Sequence, residues 1–129
     1  MRTEIETISL WLLASVFTGV AVIGLCVPSL LFDPTGLTLD TLAGVAEIRA
    51  AYGGLFGGAA YIFAMGAREP TRREQALFLA VLVLGGFVLG RLLSWGLDGA
   101  PEAPVAIINL VAESVGLVAV FLLWRGRRR

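Results

Sequence analysis

The chain has 129 residues, 57% hydrophobic and 16% charged, and its basic and acidic residues balance to zero. Soluble domains carry about 25% charged residues, so this composition excludes an ordinary water-soluble fold. The balanced charge gives no reason to expect nucleic acid as a partner, and the single cysteine, Cys26, excludes an internal disulfide or a cysteine-built metal centre.

Four apolar segments approach the ~20 residues that a membrane-crossing helix needs. They cover approximately residues 8–32, 42–66, 75–97 and 105–124. The first is longer than a typical signal core, and no small-residue cleavage pattern follows it. Ile23-Gly24-Leu25-Cys26 has a passing likeness to a lipoprotein cleavage box, but the large Leu25 argues against processing there. This segment is therefore expected to stay as a permanent span, with Pro28 loosening its far end and Cys26 buried as a small apolar residue.

The connections hold Asp33-Pro34-Thr35-Gly36, then residues 68–73, then residues 98–102, all rich in turn formers. Short connections favour an antiparallel bundle. The expected fold is all-α: one integral-membrane domain over residues 1–129, an antiparallel four-helix transmembrane bundle. Arg2, Arg68, Arg72, Arg73, Arg125, Arg127, Arg128 and Arg129 fall on one side of this arrangement. Asp33, Asp40, Asp98 and Glu102 fall on the other, which has no basic residue. The positive-inside rule then makes both termini cytoplasmic. Trp11 and Trp124 mark the inner interface and Trp95 the outer one.

Four charges lie inside the apolar segments: Glu47, Arg49, Arg91 and Glu113. Each costs at least about 2.5–3.5 kcal/mol near the bilayer centre, so a partner or a purpose is expected. At ~1.5 Å rise per residue, Arg49, Arg91 and Glu113 lie roughly 10, 9 and 13 Å below the outer helix ends. They share one outer-half layer, with Glu47 slightly shallower. At 100° per residue, Glu47 and Arg49 are about 200° apart and address different neighbours. Ile48, Leu55, Ala59 and Ile62 lie between them as a lipid face. Arg91 shares a stripe with Phe87, Ser94 and Asp98, and Glu113 one with Ala106, Asn109 and Gly116. A direct Arg91–Glu113 ion pair is expected, with Arg49 joining the same network.

The second segment also holds two small-xxx-small frames, Gly53/Gly57 and Gly54/Gly58, and the third holds Gly86/Gly90. Such frames let helix backbones approach closely in lipid. Packing inside the bundle is the expected use, and a homo-oligomer interface is the alternative.

The run Ala46-Glu47-Ile48-Arg49-Ala50-Ala51-Tyr52-Gly53-Gly54, with Gly90-Arg91 and Glu113, resembles a bacterial four-span membrane family, the domain of unknown function 4345. The likeness covers nearly the whole chain. That family is distantly similar to DoxX-like four-helix membrane proteins, some of which are accessory subunits of redox enzymes. The resemblance implies a multi-pass protein of the bacterial inner membrane and an important charge cluster.

Two functions compete. In one, Glu47, Arg49, Tyr52, Arg91, Ser94, Asn109 and Glu113 form a polar cluster that binds a membrane lipid or other small amphiphile. In the other, the charges only dock helices in an accessory or scaffold subunit of a larger membrane complex. Transport is disfavoured because the inner halves of the helices are nearly all apolar. Catalysis is not expected: a nucleophile wants an adjacent base, histidine is absent, and Glu113 has no second catalytic group beside it. No cofactor or metal is specified.

Overall fold

The computed structural model describes residues 1–99 and 101–128, without the side chain of Arg2. Arg129 and the Arg2 side chain, both counted above for orientation, lie outside the described residues. All regular structure among the described residues is helical. The elements are α1 (Arg2–Cys26), α2 (Ser29–Phe32), a 3-10 turn (Asp33–Thr35), α3 (Leu42–Ile48), a π-helical segment (Arg49–Leu55), α4 (Phe56–Arg68), α5 (Arg73–Asp98) and α6 (Pro104–Arg127). From α3 to α4 the chain runs without a break, so four helices are long and apolar enough to cross a membrane.

Proline and small residues set the boundaries. α1 stops at Cys26, short of the expected residue 32, because Pro28 disfavours a helical Val27, whose φ is −140°. Cys26 is exposed there, not buried as its residue type suggested. Thr41 caps α3, its hydroxyl accepting from the Gly44 amide at 3.0 Å. Pro104 opens α6 at a position where its missing N–H costs nothing.

The π-helical segment Arg49–Leu55 was not foreseen. It contains Gly53-Gly54, whose missing side chains tolerate a wider turn, and such segments cluster at functional sites. Within it Gly53 seats directly against Leu25 of α1, while Gly24 lies under Tyr52. Farther along, Ala21 faces Gly57, Phe17 meets Phe63 edge-on, and Leu10 reaches Gly66.

The core is lopsided. It consists of Leu10, Ala14 and Phe17 of α1, Ala59, Ala60, Phe63 and Ala67 of α4, and Ala76, Leu77, Ala80 and Leu84 of α5. Val120 is the one buried residue of α6. All of these lie toward the arginine-rich end, and the opposite half of the molecule is more loosely filled. Ala59 is 8% exposed and belongs to this core, not to the lipid face.

Candidate functional site

Arg91 and Glu113 face each other from α5 and α6. The guanidinium is bidentate: Nε donates to Oε2 at 2.7 Å and Nη2 to Oε1 at 2.9 Å. Parallel charge-assisted bonds of this kind add geometric specificity to attraction. The pair is half-buried, with 33% and 16% of the two side chains exposed.

Arg49 does not join it. Its Nε donates 3.0 Å to the Leu25 carbonyl, one of the acceptors that α1 leaves open at its C-terminus. Glu47 is exposed and pairs with no described residue. Ser94 donates to Asp98 at 3.4 Å, one turn beyond Arg91. Asn109 is half-buried, one turn from Glu113, and hydrogen-bonds to no described residue. Tyr52 is joined to the Arg91 side of α5 through Phe56, which stacks on both Tyr52 and Phe87. The expected cluster thus resolves into one tight pair with Tyr52 nearby, one helix cap, and three peripheral polar groups. Replacing Glu113 with alanine should cost about 1–3 kcal/mol through the stranded guanidinium. The double replacement Arg91→Leu/Glu113→Leu should cost less than that single change. Denaturant unfolding of the two variants in detergent checks the order.

An aromatic ladder runs from this pair toward the core. Phe32 meets Tyr52 edge-on at 4.8 Å, Tyr52 stacks on Phe56 at 5.2 Å, and Phe56 stacks on Phe17 at 5.0 Å and on Phe87 at 5.6 Å. Phe87 lies one turn below Arg91 on α5.

The glycines divide into two groups. Gly53 and Gly57 pack onto Leu25 and Ala21 of α1. Gly54, Gly58, Gly86 and Gly90 face open space, so they pack against no helix among the described residues. Gly54, Gly58 and Gly86 instead line an apolar groove of about 500 Å³ between α4 and α5, floored by Phe17, Phe56 and Phe87. The groove ends one helical turn short of Arg91.

A second ionic node lies at the arginine-rich end and includes the two most buried charges of the described residues. Glu6 is 1% and Arg73 4% exposed. Arg127 Nη1 donates to Glu6 Oε2 at 2.6 Å, and Arg73 Nη1 stands 4.0 Å from the same oxygen. Arg73 also donates to the Gly66 and Ala67 carbonyls at 3.3 and 3.2 Å, capping α4. This one node joins α1, α4, α5 and α6. The sequence reading took Arg73 and Arg127 as orientation signals and passed over Glu6. Beside the node, Arg68 lies over Trp11 and Arg128 over Trp124, at 5.2 and 5.0 Å.

No curated protein and no solved structure matches the chain. Residues 5–124 match the family described as Domain of unknown function (DUF4345), and the protein belongs to that family.

Proposed function

We propose that the protein binds a membrane lipid or other small amphiphile. The apolar part lies in the α4–α5 groove and the polar end meets Arg91–Glu113. The observation that carries this reading is the glycine-lined groove ending one turn short of the ion pair. Glycines that neither pack a helix nor turn the chain keep that space open. Glu113 is engaged on both oxygens by Arg91, which supports a non-catalytic role. The aromatic and aliphatic layer between the two ionic nodes supports binding over transport.

In this reading the four helices are antiparallel in the bacterial inner membrane, with both termini cytoplasmic. Support comes from the side-by-side order of the α1–α4 contacts and from the one-sided arginines. The Glu6–Arg73–Arg127 node then closes the cytoplasmic end, and the groove and Arg91–Glu113 lie in the outer half.

Native mass spectrometry on protein gently extracted from its own membrane tests the binding. Gly58→Leu fills the groove and should remove most retained lipid. Gly19→Leu, open and on the opposite face of α1 from the groove-lining Phe17, should leave it unchanged. Equal lipid on the parent and Gly58→Leu would sink the reading.

A second reading, an accessory subunit or a homo-oligomer, is favoured by α6, where Val120 is the one buried residue while Ile107, Ile108, Val111, Val115, Val118 and Leu122 are exposed. A stoichiometric partner or second copy should then copurify from native membranes, and a chain that always runs alone speaks against it.

A further inference from the structure

The unused donors of the Arg91 pair specify the ligand's head. Two of the five N–H groups of Arg91 are spent on Glu113, one from Nε and one from Nη2. Nη1 bonds to no described residue and is not sealed in the protein, because the one buried unpartnered side-chain atom among the described residues is Arg73 Nη1. Helical side chains lean toward the N-terminus of their helix, and Phe87, which lines the groove, is the residue one turn N-terminal to Arg91. Spare guanidinium donors therefore stand one helical turn beyond Phe87, the groove-lining residue nearest them in the chain.

The charge of Arg91, however, is already cancelled by Glu113. A ligand carboxylate or phosphate would bring an uncompensated negative charge into the hydrocarbon layer, with Glu113 holding the nearest cation. A neutral carbonyl oxygen would take the spare donors without that cost. Resting on the reading of the groove as a ligand site, we propose that its ligand is an uncharged amphiphile with an ester-type carbonyl head, not an anionic lipid. The bidentate pair acts as the selectivity element: it presents donors while withholding net charge.

The test uses two probes with the same tail, methyl oleate and oleate, at pH 9, where oleate is ionised. Each is titrated into the purified full chain in a neutral detergent, and bound probe is counted by native mass spectrometry. The parent should bind the ester at least about tenfold more tightly than the acid, given the cost of burying an unpaired charge. Gly58→Leu should lose ester binding. Glu113→Gln uncovers the Arg91 charge and should reverse the preference toward oleate. Should neither probe saturate the parent, or should Gly58→Leu bind as the parent does, the groove reading fails and this inference with it. If the ester binds in the groove but the parent holds oleate equally well, the groove stands and the head assignment is overturned. The parent's own preference decides this even if Glu113→Gln does not fold.

Discussion

Replacing Glu6 with alanine lowers the stability of the protein by about 3–5 kcal/mol, the usual cost of removing one partner from a buried ion pair. Glu6 Oε2 receives Arg127 at 2.6 Å and faces Arg73 Nη1 at 4.0 Å, in a pocket where Glu6 is 1% exposed. Without the carboxylate, Arg73 keeps only the Gly66 and Ala67 carbonyls for its charge. Water cannot compensate, because Arg73 itself is 4% exposed. Four helix ends meet at this one acid, so the loss should also loosen how they dock. The control lies two residues away. The Glu4 side chain is 79% exposed and among the described residues pairs only with the Met1 amino group, so Glu4→Ala should change stability by less than about 0.5 kcal/mol. Unfolding by sodium dodecyl sulfate, followed by circular dichroism, checks the contrast. Equal midpoints for the two variants would contradict it.

Gly24→Ala should be the other costly change, at about 1–3 kcal/mol, the range for overpacking a filled interior. A methyl group on Gly24 would stand 2.9 Å from Tyr52 Cβ and 3.3 Å from the backbone of Tyr52 and Gly53. Backbone cannot rotate aside as a side-chain tip can. α1 would have to retreat from the π-helical segment, pulling on the Tyr52–Phe56 stack and on the Arg49 cap of Leu25. Gly19 sits in the same helix with open space around it. There Gly19→Ala should stabilise, by up to about 1 kcal/mol from helix propensity alone. The same unfolding titration reads both variants. The two should move in opposite directions, and a shared sign would contradict the close approach.

The four long helices were legible because hydropathy and length decide them, and Arg91–Glu113 because α5 and α6 are regular enough for angular counting. Arg49 escaped for a physical reason. It opens the π-helical segment, which carries more residues per turn than the 100° count assumes, so positions across it do not project as expected. Nothing in Arg49–Leu55 as a string announces a π turn; that follows from contact with Gly24 and Leu25 of α1. Gly54 and Gly58 matched a packing pattern that cannot say whether a partner helix is present. The Glu6 node was more accessible. Glu6 falls on the stripe of Leu10, Ala14, Phe17 and Ala21, and Arg73 on that of Ala76, Leu77, Ala80 and Leu84. All of those apolar residues are buried. A charge at the end of a core stripe is a pairing signal, which the one-sided count of arginines does not register.

The account divides the molecule into a locked end at Glu6, Arg73 and Arg127 and an open groove below Arg91–Glu113. Site-specific photo-crosslinking tests that groove most directly. A benzophenone side chain replaces Leu82, which lines the groove, or Leu122, on the uncovered face of α6. After irradiation in native membranes, the lipids attached at each position are identified by mass spectrometry. The account predicts one uncharged species strongly enriched at Leu82 and the bulk membrane mixture at Leu122. The same bulk mixture at both positions would contradict it.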